Sequence, residues 1–93
     1  MIIKIDPQAL STPKSLHEHL KRALDMPDYY GMNLDALADV LSVTFRPVVF
    51  WCLRYDDELN PLYPHAEPFF RVITDCAQRN HHLIVDDFIV DRA

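Results

Sequence analysis

The stretch "PVVFWCL", residues 47–53, decides the architecture of this chain. Its β-branched and aromatic residues read as a strand, and seven residues fall far short of the ~20 that a membrane helix needs. The run does not alternate with polar residues, which is the pattern of a central strand in a parallel sheet with both faces covered. Working outward, "MIIKI" (1–5) is a short β-branched run read as the first strand. At the other end "HLIVDDFIV" (82–90) supplies a third strand, with room for an extra edge segment.

The segments between the strands carry helix signals. In "LSTPKSLHEHLKRALDMP" (10–27), Thr12 is a natural cap, Pro13 suits the first helical position, and Pro27 bars continuation. Leu16, Leu20, Ala23 and Leu24 form an apolar stripe at helical spacing, and Glu18 and Arg22 are a favourable i, i+4 pair. A loop over 28–32 leads to a second helix over about 33–43. "RYDDELNPLYP" (54–64) is a polar connection with room for one helical turn; Asp57 within it reads as a rim charge. Residues 65–79 form a third main helix with Phe69, Val72, Ile73 and Cys76 inward, and Pro68 moves its start towards 67. The order β-α-α-β-α-β predicts an α/β fold: a small three-stranded, mainly parallel sheet packed with helices through right-handed crossovers.

Ninety-three residues form one domain, 1–93, with no repeat, linker or low-complexity tract. The hydrophobic fraction of 49% supports a real core. Fourteen acids against nine bases leave a net charge of −5. That balance argues against direct nucleic-acid binding, which needs basic side chains against phosphate, and against an anionic membrane surface. It fits a cationic partner. No signal peptide is visible, and Cys52 and Cys76 lie in apolar segments, so free thiols and a cytoplasmic location are expected.

The second helix and the loop before it form "PDYYGMNLDALADVL" (27–41), which holds the chain's only glycine, two adjacent tyrosines and no basic residue. Gly31 is expected at positive φ, and Asn33 can cap the helix. Leu34, Leu37 and Leu41 fall within a sector of about 60° that should face the core. Asp35 and Asp39 lie together outside it, where two like charges cost a few tenths of a kcal/mol on an isolated helix. One of Tyr29 and Tyr30 can serve the core, Tyr30 being the candidate. An exposed tyrosine beside fixed carboxylates suits a protein interface, while a solvated polar face is the plainer alternative.

"MPDYYGMNLDALADVL" resembles the signature of the barstar family, intracellular protein inhibitors of secreted ribonucleases. The Y-Y-G-x-N-L-D-A-L core stands intact at Tyr29–Leu37, and element order and spacing agree over about residues 1–86. The resemblance implies a barstar-like fold whose loop and second helix enter a ribonuclease active site. It implies a partner-binding set of Tyr29, Tyr30, Gly31, Asn33, Asp35, Ala38 and Asp39, with Asp75 the positional match for a carboxylate on the last main helix. The partner would be a basic ribonuclease or related nuclease toxin, met by a chain that is a monomer when free. Two departures stand out. The family commonly has a tryptophan where Ala38 stands, and Thr44 and Arg46 replace an aromatic and an acid. These imply a changed partner, including the toxin of a secreted system whose immunity protein this would be.

Rival chemistries have less support. Asp35, Asp39 and Asp75 could in principle hold Mg²⁺, but no phosphate-binding or nucleophile motif accompanies them, so neither an enzyme nor a cofactor is expected. His17 and His19, two apart on a helix, and the adjacent His81 and His82 lack zinc-site spacing, so no metal is expected. A non-inhibitory interaction domain that keeps the fold is the remaining alternative.

Overall fold

A computed structural model describes residues 1–55 and 63–90 of the chain. Strands β1 (Ile2–Ile5), β2 (Val48–Tyr55) and β3 (Leu83–Val90) form one sheet in the order β1-β2-β3, and helices α1 (Pro13–Ala23), α2 (Leu34–Ser42) and α3 (Glu67–Arg79) fill the connections. Both strand pairs are parallel: Ile3 lies beside Phe50 and Ile5 beside Cys52, while Val48 lies beside Leu83 and Phe50 beside Val85. This is the β-α-α-β-α-β architecture expected from the apolar runs. β3 runs unbroken to Val90, so the extra edge segment is part of the strand itself. The polar connection falls mostly outside the described residues, and Asp57 with it; a 3₁₀ turn, Pro64–Ala66, leads into α3.

One expectation fails. Among the described residues, β2 is covered on one face, not two. Val48, Phe50 and Cys52 are buried beneath the helices, whereas Val49, Trp51 and Leu53 on the opposite face are only half-buried. Their neighbours on that face, Ile2 and Ile84, are 57% and 51% exposed. The reason is topological. Two right-handed crossovers that advance in one direction across the sheet place their helices on one side, and covering both sides needs a reversal of strand order. The unbroken apolar run therefore reflects a buried face and a second apolar face that no described element covers.

Between sheet and helices, Leu16 and Leu20 of α1, Leu37 and Leu41 of α2, and Phe69, Phe70 and Ile73 of α3 meet Ile3, Ile5 and Phe50. Phe70 joins the expected inward set because it packs under Arg54, whose guanidinium lies 4.7 Å from the ring centroid. Arg54 also reaches Asp87 at 3.0 Å and Glu67 at 3.2 Å, tying β2 to β3 and to α3. Cys52 and Cys76 are buried and form no disulfide.

α1 starts as read. Thr12 accepts from the Ser15 backbone N–H at 3.1 Å, and Ser15 Oγ accepts from the Thr12 N–H at 3.0 Å, completing a capping box ahead of Pro13. Glu18 reaches back to Lys14 at 3.9 Å rather than forward to Arg22. The helix also ends before Pro27 can stop it. Asp25 adopts φ 51°, and the N–H groups of Asp25 and Met26 return to the carbonyls of Arg22 and Lys21. That closure satisfies the last carbonyls by the usual left-handed route, here with aspartate in place of glycine. No helix among the described residues is long and apolar enough to cross a membrane.

Candidate functional site

The loop from Pro27 to Asn33 is fixed from inside. The Tyr30 N–H donates to the Pro27 carbonyl at 3.0 Å, and the Tyr30 ring turns into the core, 7% exposed. Its hydroxyl lies 2.7 Å from Nδ1 of His17, a buried histidine whose ring sits 4.6 Å from that of Phe69. Burial pushes the Tyr30 hydroxyl up to about 12 and holds the His17 imidazole below its ordinary value, so the pair is held neutral. Tyr30 therefore acts through the loop rather than at its surface. With one tyrosine committed inward, its neighbour points out: Tyr29 is 88% exposed.

Gly31 is not at positive φ. Met32 takes that conformation instead, at φ 55°. The glycine is needed for closeness: a Cβ there would stand 3.0 Å from Nδ2 of Asn33 and 3.5 Å from the Ala36 Cβ. Asn33 occupies that space because its amide is held at both ends. Oδ1 accepts from the Ala36 N–H at 2.8 Å, capping α2, while Nδ2 donates to the Gly31 carbonyl at 3.2 Å.

α2 then turns Leu37 and Leu41 into the core and leaves Asp35 and Asp39 exposed. Asp35 lies in the first turn, where the helix dipole favours a negative charge. Ala38 is half-buried between them, its carbonyl accepting from Ser42 Oγ at 2.7 Å and facing Cys76 Sγ of α3 at 3.9 Å. Asp75, next to that thiol in sequence, is exposed beside the α2–α3 seam. Among the described residues, none of Asp35, Asp39 and Asp75 joins an ion pair, and no three metal-ligating side chains converge. The face offers carboxylates to external donors without forming a chelate.

The sequence reading missed two exposed apolar residues at the C-terminal end of α2. Val43 and Phe45, just beyond α2, are 76% and 77% exposed. The turn presenting them is pinned by Asn80, whose Nδ2 donates to the carbonyls of Leu41 at 2.9 Å and Thr44 at 2.7 Å. The exposed aromatic, Phe45, stands between Thr44 and Arg46, two positions that depart from the family pattern. The available signal was an aromatic residue just past the helix, outside any stripe that could bury it.

Residues 1–87 match the family described as Barstar (barnase inhibitor). A curated relative from Bacillus subtilis (strain 168), "Putative ribonuclease inhibitor YrdF", is 52% identical over 40 residues. That match covers 43% of this chain and 44% of the relative.

Proposed function

Because the chain belongs to the barstar family, we propose that it is a stoichiometric protein inhibitor of a ribonuclease, blocking the enzyme's cationic active site with its acidic loop-helix surface. The observation that carries this reading is the pairing of a fully presented aromatic ring, Tyr29, on an internally braced loop with the exposed carboxylates of α2, which no ion pair among the described residues engages. A ribonuclease holds phosphate with Arg, Lys and His, and carboxylates at phosphate-like positions satisfy the same donors. In this reading Asp35 and Asp39 meet those cations and Asp75 adds a third from α3. Tyr29 supplies rigid contact area, Gly31 and Asn33 hold the loop, and Tyr30 braces it from beneath. Ala38 leaves room where relatives carry a larger ring, and Arg46 selects a partner with an acidic group opposite it.

The test is titration of a basic ribonuclease by the purified chain. Activity should fall linearly to an equivalence point at one inhibitor per enzyme, and Asp39→Ala should abolish that sharp endpoint. An interaction domain without inhibitory action would bind and leave activity intact. Turnover of RNA by the chain alone would overturn the proposal.

A further inference from the structure

We propose that the face of the sheet that no described element covers is a self-association surface, occupied by a second copy of this chain. The face is ordered in rows set by the parallel register. Ile2, Val49 and Ile84 form one row, Lys4, Trp51 and Asp86 the next, and Leu53 with Phe88 the third. Trp51 packs edge-on against Phe88 with ring centroids 5.6 Å apart, flooring a shallow hollow that Lys4 borders. Exposure of Ile2, Ile84 and Phe88 at 57%, 51% and 44% makes this a contiguous apolar patch, not scattered single residues.

The charges identify the occupant. The middle row is apolar at its centre, with a cation on one flank and an anion on the other, and among the described residues neither Lys4 nor Asp86 is in an ion pair. Lys4 and Asp86 stand two strands apart, about 10 Å, too far to meet within one copy. A two-fold axis running along β2, between two stacked sheets, swaps left for right and keeps each row level. Lys4 of each copy then faces Asp86 of the other, Trp51 faces Trp51, and Ile2 faces Ile84. A two-fold axis across the strands would set Lys4 against Lys4 and Asp86 against Asp86. Only the first arrangement is self-complementary, as an isologous interface must be.

The size of the face sets the strength. β2 and β3, eight residues each, span about 26 Å and the four-residue β1 about 13 Å, so with strands about 4.8 Å apart each copy would bury on the order of 300–400 Å². That is below the ~800 Å² per partner of a standard interface, so the dimer is weak and reversible. The acidic face of α2 lies on the other side of the sheet, so it stays open in the dimer, and this inference stands apart from the proposed inhibitory role. It also departs from the expectation of a free monomer.

Sedimentation velocity of the full chain, from low micromolar to millimolar concentration, should show a monomer–dimer equilibrium. Trp51 is the chain's only tryptophan, so its emission should shift to the blue in step with the mass. Lys4→Asp or Asp86→Lys alone should raise the dissociation constant at least about tenfold, since each places like charges opposite one another. An equimolar mixture of the two variants should recover association, because the heterodimer restores both ion pairs. Circular dichroism and melting would confirm that both variants fold. A chain monomeric throughout with unchanged Trp51 emission would overturn the proposal. So would a dimer indifferent to both reversals, such as one formed through the β3 edge.

Discussion

Gly31 shows how a residue can be read correctly in kind and wrongly in cause. The chain's only glycine suggested a left-handed backbone, but that conformation falls to Met32, and Gly31 serves the close approach of Asn33. The difference has a measurable consequence. With no positive φ to oppose it, Gly31→Ala should cost no backbone strain, and the restricted unfolded chain would even favour it. The cost lies in the 3.0 Å contact with Asn33 Nδ2. That amide can retreat only by lengthening its bonds to Ala36 and Gly31, and the first of these is the α2 cap. Losing a cap costs about 1 kcal/mol, so the variant should be destabilised by roughly 0.5–1.5 kcal/mol in urea unfolding. Adding Asn33→Ala should remove most of the difference between glycine and alanine at 31, since the clash then has no second partner. Equal effects in both backgrounds would show that the glycine acts elsewhere. Tyr30 teaches the converse. Nothing in two adjacent tyrosines says which is buried, and a histidine thirteen residues earlier decides it.

At the scale of the element, α2 was the most legible part of the chain. Its leucine spacing fixed the buried face, its asparagine fixed the start, and Asp35 and Asp39 had nowhere to go but outward. Local periodicity carries that information without help from the rest of the fold. Periodicity could not say that Val43 and Phe45 are presented to solvent, because Asn80, at the far end of α3, sets that turn. If α2 enters a cationic cleft, Asp39 should be its most sensitive charge, since removing a desolvated carboxylate strands the cations opposite it. Asp39→Ala should weaken binding by about 2–5 kcal/mol, the general range for truncating one member of a buried charge pair, and mostly through faster dissociation. Glu18→Ala, on α1, should change affinity by less than about 0.5 kcal/mol. Surface-binding kinetics at two salt concentrations would measure both. Equal small losses would make α2 a merely solvated acidic face.

Across the whole molecule, the fold followed from three apolar runs and the helical patterns between them, but the layering did not. An apolar strand face reads the same whether helices, solvent or another chain lies against it, so "PVVFWCL" could not reveal that only Val48, Phe50 and Cys52 are covered. The covered side has a consequence for the thiols. Cys52 is fully buried at the sheet centre, where desolvation, helped by Asp87 and opposed by Arg54, pushes its thiol up to about 12. Cys76, 8% exposed on α3, is raised chiefly by burial too. Since the thiolate is the reactive species, neither should label readily in the folded protein. Cys52 should react only when the whole domain opens, so its alkylation rate should track global unfolding and slow as stability rises. Cys76, nearer the surface, should react first through local opening of α3. In denaturant without reductant, mass spectrometry should show two adducts. A mass two daltons low with no adduct would reveal a disulfide, and a bond between the sheet centre and α3 would require a core packed differently from this one.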